Sequence, residues 1–374
     1  MDRKLVVFLL IGLVSLFADM TYEGARSVVG PYLRYLNAAL VIAAAVSVGD
    51  LVSYTARLLG GLVSYTVRSS RGYWGLVFLG YTINLVAVPL LAFAGNWYLA
   101  FILVMVERAG KGLRAPARDA ILAEVSRGIG RGLAYSIHEF LDQLGAVSGP
   151  LIVGLTLGME GYGYTSAFLI LAVPAVASLI LLSAAYMLYP RLEAVRLPPR
   201  GLGLPSRFWI LAFSSLAAMA GFIHWVHASY RLSGYGGEYI AYLYSLAMLV
   251  DAVVALVLGF LYDRVGRGVI AVVPVMAGLS TISMLYDYSP VYFALLWGAA
   301  MGGFQSVYRS IVADDLDPGV RGLGFGLLYF MMGVGWSVGN IVLSLTGNAY
   351  LQSAYTVVVE VVAVALLGLY LKSR

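Results

Sequence analysis

The run ERAGKGLRAPARDAILAEVSRGIGRG (107–132) leads into LAYSIHEFLDQLGAVSGP (133–150). Its charges begin inside an apolar segment that extends back to Trp97, and it ends inside another apolar segment, on Gly145-Ala-Val-Ser-Gly149-Pro150. Concentrating charge here is unusual for this chain. Only 11% of its 374 residues are charged and 61% are hydrophobic, whereas a soluble domain carries about 25% charged residues. So few charges cannot cover the surface of a soluble protein this long, and the composition points to a polytopic membrane protein.

Working outward in both directions, runs long enough to span a bilayer fall at 5–30, 38–66, 73–95, 97–115, 132–156, 165–189, 208–231, 238–261, 268–287, 291–311, 323–346 and 352–371. The apolar run after Met1-Asp-Arg-Lys4 is too long for a secretory leader and reads as the first span. Arg and Lys gather on alternate connections and at both termini: Arg3 and Lys4, Arg68 and Arg71, Arg118 to Arg131, Arg191 to Arg207, Arg264 and Arg267, Arg321, and Lys372 with Arg374. The opposite connections carry only Arg34 and Arg231. Basic loops stay inside, so both termini are expected in the cytoplasm, which an even number of spans requires. The same loops account for the net charge of +5 without nucleic acid. No cysteine is present, which excludes disulfides, thiolate metal sites and cysteine nucleophiles.

Shifting the chain by 190 positions superposes Arg131-Gly132-Leu133 on Arg321-Gly322-Leu323, Ala123-Glu124 on Ala313-Asp314, Gly145 on Gly335 and Gly149 on Gly339. Six spans thus repeat as six spans. Because six is even, the repeat is parallel, the arrangement of two bundles that rock about a site at mid-membrane. The expected domains are a bundle over 1–189, a Pro-, Gly- and Arg-rich linker over 190–207 and a second bundle over 208–374.

Between the eighth and ninth spans lies Gly259-Phe-Leu-Tyr-Asp263-Arg264-Val-Gly266-Arg267. With the repeat, this resembles the signature loop of the major facilitator superfamily, Gly-x-x-x-Asp-Arg-x-Gly-Arg. The resemblance implies the fold: all-α, twelve transmembrane helices in two parallel six-helix bundles. It also implies a latch in which Asp263 is held by arginines, with Gly259, Arg264, Gly266, Arg267 and Arg321 taking part. A solvated turn is the plainer alternative. In the first-half counterpart, Gly61 to Arg71, Tyr65 stands in place of the acid. Arg108-Ala-Gly-Lys111-Gly112 resembles the family's Arg-x-x-x-Gly motif, whose arginine is associated with proton coupling. Lys111 and Arg114 are expected to snorkel to the near face. Gly145, Gly149 and Pro150 resemble the family's antiporter motif, with glycines for close packing and a proline bend. YEGARSVVGPYL, GKGLRAPARDA and HEFLDQLGAVSGP resemble prokaryotic drug/proton-antiporter-like exporters.

Ionisable residues within spans are functional candidates, because a charge in hydrocarbon is costly unless it faces the bundle interior or water. Asp19, Glu23 and Arg26 share one helix face. Asp50, His138, Glu139, Asp142 and Asp251 lie at depth. Simpler roles exist: Asp19 or Glu23 neutralising Arg26, and Glu139 pairing with Arg108. Glu360 in the last span has no evident partner.

The function expected is secondary active transport by alternating access, with proton-coupled export of a small polar or cationic organic molecule. Asp19, Glu23 or Asp142 would carry the proton. Divalent-metal export is the alternative, drawing on these acids with His138, His224 and His227. No nucleotide-binding loop, nucleophile–base pair or HExxH motif is present, so neither ATP drive nor enzymatic activity is expected. No cofactor is expected beyond the proton gradient as energy source. The expected partners are substrate, protons and the bilayer, for a monomer in the plasma membrane.

Overall fold

In hydrocarbon every backbone amide must find its partner within the protein, so apolar runs of this length become helices. The computed structural model describes residues 3–67, 69–126, 131–189, 191, 203–317 and 320–373. Its helices are α1 (Arg3–Tyr35), α2 (Leu40–Ala45), α3 (Val48–Val67), α4 (Ser70–Leu90), α5 (Trp97–Val125), α6 (Arg131–Leu157), α7 (Tyr164–Ile170), α8 (Ala172–Leu188), α9 (Ser206–Gly221), α10 (Trp225–Arg231), α11 (Gly237–Val265), α12 (Val272–Leu285), α13 (Pro290–Asp315), α14 (Arg321–Leu345) and α15 (Ala349–Lys372). Each of the twelve stretches read from the sequence is helical. Among the described residues, ten of the helical stretches are long and apolar enough to cross a membrane. The other two, α5 and α13, match them in length but carry more polar residues, Glu107, Arg108, Lys111 and Arg114 in α5. Most of the 190–207 stretch, Arg68 and residues 127–130 lie outside the described residues.

Helix α6 runs through Pro150, as the span 132–156 expects. One boundary differs: helix α5 does not stop near residue 115 but continues to Val125, through Pro116 and the basic run. The second and sixth spans are each divided in two, between α2 and α3 and between α7 and α8. The seventh is divided where Phe222 leaves helical geometry (φ −90°, ψ 116°) between α9 and α10.

The chain forms two compact units: Met1–Asn37, Val52–Pro198 and Gly236–Ser245 in one, and Ala38–Leu51, Pro199–Tyr235 and Leu246–Arg374 in the other. Within the first, α1 packs on α6 and α8, and α4 on α5; within the second, α9 packs on α14 and α15, and α12 on α13. The same pairings recur in the same order, as the 190-residue repeat requires. The glycines explain the closest of them. A Cβ at Gly145 or Gly149 would strike the carbonyl oxygens of Leu16 or Met20 on α1, and one at Gly335 or Gly339 those of Leu216 or Ala220 on α9. Both pairs thus bring backbone against backbone.

Gly149→Ala is therefore expected to destabilise the protein by about 1–3 kcal/mol, the cost of overpacking a close contact that cannot yield. Gly75→Ala, with nothing within 4 Å of the added carbon, is expected to leave thermal unfolding in detergent unchanged or raised. Equal midpoints for the two variants would contradict this packing.

Candidate functional site

In the first unit, the charges of α1 and α5 face each other. Glu23 is the junction: Lys111 Nζ lies 3.4 Å and Arg26 Nη1 3.8 Å from its Oε1. The Tyr244 hydroxyl, from α11, donates to its Oε2 at 2.6 Å. Beside it, Arg108 Nε lies 3.2 Å from Glu107 Oε2, and Asn84 Nδ2 of α4 donates to Glu107 Oε1 at 2.7 Å. Asp19 sits one turn before Glu23. Its carboxylate accepts a hydrogen bond from Tyr22 and has no cation at ion-pair distance among the described residues. Lys111 also lies 3.8 Å over the Tyr22 ring, and Arg114 3.8 Å over that of Tyr81. Two carboxylates on one helix face thus occupy different environments, one held by two cations and the other by a hydroxyl.

A second chain of contacts adjoins this one. Asp142 Oδ2 lies 3.3 Å from His138 Nδ1, and His138 Nε2 3.1 Å from Ser15 Oγ. Ser15 in turn meets the Tyr81 hydroxyl at 3.3 Å and Arg118 Nη1 at 3.4 Å. Arg118 and Arg57 both bind Asp119, at 2.8 and 3.0 Å.

Two expectations are corrected here. Lys111 and Arg114 do not snorkel, and Arg114 is only 2% exposed. With α5 helical to Val125, both lie well inside the helix rather than at its end. Glu139 does not pair with Arg108; it is exposed, and Glu107 takes that role. Arg108 is buried, 2% exposed.

The second unit holds a separate cluster at the break between α9 and α10. Asn340 stands where the first repeat has Pro150, and its amide repairs the break. Its Nδ2 donates to the carbonyls of Phe222 and Trp336 at 3.1 and 2.9 Å, and its Oδ1 accepts the His224 amide at 2.8 Å. Thr281 accepts the Ile223 amide at 2.8 Å, and Trp297 donates to the Ile223 carbonyl at 3.0 Å. Val226 N–H donates to His224 Nδ1 at 3.1 Å, which leaves the ring proton on Nε2 facing Asp50 Oδ2 at 2.9 Å. His227 Nδ1 meets Asn340 Oδ1 at 3.1 Å, and its Nε2 accepts from Arg231 at 3.3 Å. Both histidines therefore have their acceptor nitrogens occupied. Among the described residues, no three of His, Asp and Glu gather as a metal site would require. The residues the divalent-metal alternative draws on are thus not gathered into one site among the described residues. Asp251, 1% exposed, receives Gln305 Nε2 at 3.0 Å and joins neither cluster.

The profile of the Major Facilitator Superfamily matches residues 7–340. The chain belongs to that superfamily. It is 35% identical over 373 residues to an uncharacterized protein of Mycobacterium tuberculosis, covering 96% of this chain and 90% of the relative. It is 24% identical over 354 residues to an uncharacterized MFS-type transporter of Methanocaldococcus jannaschii, covering 89% and 86%. A crystal structure of the peptide transporter POT in complex with sulfate superposes with a TM-score of 0.76 at 16% identity, over 98% of this chain and 94% of that one. The fold is that of the superfamily, and the protein is a multi-pass membrane transporter of that class rather than an enzyme.

The superfamily's signature loop departs from the expected latch. Asp263 is exposed in the last turn of α11 and pairs with no cation among the described residues, while Arg264 stacks at 4.3 Å over Phe260. Gly266, at φ +88°, turns the chain, and Arg267 Nη2 then reaches Asp315 Oδ1 at 2.6 Å. Tyr370 donates to Asp315 at 2.6 Å and Arg207 lies 3.5 Å away. The acid that Arg267 meets here is thus Asp315 on α13 rather than Asp263 of its own loop. Gly259 has open space beside it, and Arg321 donates to the Leu316 carbonyl at 2.8 Å. Tyr65 and Arg68 of the first-half loop lie outside the described side chains.

Sequence reasoning misses Tyr244, Glu107, Asn84, Asn340 and Asp315. For Tyr244 a signal exists, since Ile240, Tyr244, Ala247 and Asp251 share a buried face of α11.

Removing one member of the Glu23–Lys111 pair strands buried charge. Glu23→Gln is expected to destabilise by roughly 3 kcal/mol, and Lys111→Met by less because its side chain is 30% exposed. The double variant should fall short of the sum by on the order of 1 kcal/mol, as read from thermal unfolding. Additive losses would dissolve the pair.

Proposed function

We propose that the protein is a proton-coupled exporter of a small polar or cationic organic molecule, with Asp19 as the proton-carrying group and Glu23 as the carboxylate that substrate engages. The observation that carries this reading is the contrast between the two acids on one face of α1. Glu23 is held by Lys111, Arg26 and Tyr244. A substrate bearing an amine or hydrogen-bond donor would take the place of Lys111 on it. Among the described residues Asp19 has only the Tyr22 hydroxyl at hydrogen-bond distance, while the nearby Lys111 is engaged by Glu23, so a proton serves to neutralise Asp19. Neighbouring carboxylates in unlike environments are the arrangement that separates a proton carrier from a permanent charge.

The remaining parts follow. His138 and Asp142, joined through Ser15 to Arg118, offer a path for the proton from α6 to the end of α5. Glu107 and Asn84 fix Arg108 beside Glu23, which keeps Glu23 ionised while Asp19 changes state. Alternating access moves the substrate, and the Arg267–Asp315–Tyr370 contact opens and re-forms in each cycle. The Arg and Lys distribution supports cytoplasmic termini in the plasma membrane, and the chain acts as a monomer.

Proteoliposome flux separates these roles, using a substrate found by a thermal-shift screen of small organic cations and polar metabolites. The wild type should export faster when protons are supplied on the side opposite the substrate. Asp19→Asn should lose that acceleration while still exchanging labelled for unlabelled substrate, and Glu23→Gln should lose exchange too. Undiminished proton-driven transport by Asp19→Asn would end the assignment.

A further inference from the structure

Helices α12 and α15 of the second unit enclose an apolar groove of about 410 Å³. Its walls are Pro274, Val275, Leu279, Val357, Val361 and Val364, and Glu360 stands among them. Nothing in the transport reading uses this acid. It is 7% exposed, and neither carboxyl oxygen has a hydrogen-bond partner among the described residues. Thr356, one turn earlier and also lining the groove, has an unpartnered hydroxyl as well. Two glycines make room for its side chain: a Cβ at Gly278, on the groove wall, would lie 3.0 Å from Glu360 Cγ, and one at Gly221 of α9, which does not line the groove, would lie 2.5 Å from Oε1.

A buried carboxyl group without a partner is expensive, and such groups are retained where a partner arrives from outside. The Tyr308 and Tyr355 hydroxyls lie near enough to feel its charge, but neither hydrogen-bonds it, and α9 and α12 offer it no cation. Helix α12 has no Lys, Arg or His, and the only cation of α9, Arg207, is bound to Asp315 at the far end. Glu360 lies near the middle of α15, about 16–18 Å of helix from either end. A phospholipid amine at the interface does not reach that depth, whereas a small molecule dissolved in the hydrocarbon does.

We propose that this groove is a binding site for a lipophilic amine, with Glu360 as its counter-charge, Thr356 as a hydrogen-bond acceptor and the valines against its apolar body. The site is independent of Asp19 and Glu23, and its test does not use transport.

The experiment is photo-crosslinking of the full-length protein in phosphatidylcholine vesicles, which contain no primary amine. A photoreactive alkylamine and the alkanol of the same chain length serve as probes, and labelled peptides are read by mass spectrometry. The amine should label α12 and α15 about tenfold more than the alkanol. Glu360→Gln, which keeps the shape, should bring the amine down to the alkanol level. Val361→Trp, at a position 61% exposed on the groove wall, should abolish labelling while leaving Glu360 intact. Thermal unfolding of both variants checks that they fold. Equal labelling by amine and alkanol in the wild type would overturn the proposal. So would amine labelling that persists in Glu360→Gln, because the groove would then be an apolar slot and Glu360 a carrier of nothing but its own proton.

Discussion

A charge placed among lipid-packed helices must find its opposite nearby, and that constraint shapes the first unit. Glu23 has two cations and a tyrosine around it, Glu107 has Arg108 and Asn84, and Arg114 lies against an aromatic face. Apart from the neighbouring Glu107 and Arg108, each contact joins different helices or successive turns of one, so these groups hold α1, α4, α5 and α11 in register. A network of this kind adds little net stability compared with apolar packing, because desolvation offsets most of the attraction. What it supplies is specificity and sensitivity. Adding a proton or another cation changes the balance at one acid and so at every group that shares its partners.

The two halves show the same scaffold turned to different ends. Glycine pairs bring α6 onto α1 and α14 onto α9 in the same way. At the next position the halves diverge. Pro150 leaves α6 helical, whereas Asn340 uses all four hydrogen-bonding positions of its amide to secure an interrupted seventh span. That interruption sets His224 against Asp50 and His227 against Asn340. The first unit thus carries most of the ionised groups, and the second carries the structured break and the Arg267–Asp315 contact.

Much of the fold is legible in the sequence, because spans, basic loops and small-residue spacing act locally and leave periodic marks. Asp19, Glu23, Arg26 and Arg108 are legible for the same reason, since charge within an apolar run stands out. Partners are harder to read. Lys111 escapes a local reading because α5 continues past its apolar part, and only the extended helix moves that residue inside. Asp263 belongs to the signature loop, but the turn at Gly266 hands Arg267 to an acid on α13. Tyr244 lies in the second half of the sequence and serves a site built from the first, a pairing that no local pattern encodes. Glu360 stands out in the sequence, yet its setting emerges only with the two glycines and the groove around it.

That Asp19, and not Glu23, takes up and releases the proton is tested most directly by infrared difference spectroscopy of the protein in lipid. Comparing neutral with acidic pH reads protonated carboxyl groups without reference to any substrate. A protonated-carboxyl band should appear on acidification, be lost in Asp19→Asn and be kept in Glu23→Gln. A band that survives in Asp19→Asn and disappears in Glu23→Gln would contradict the assignment.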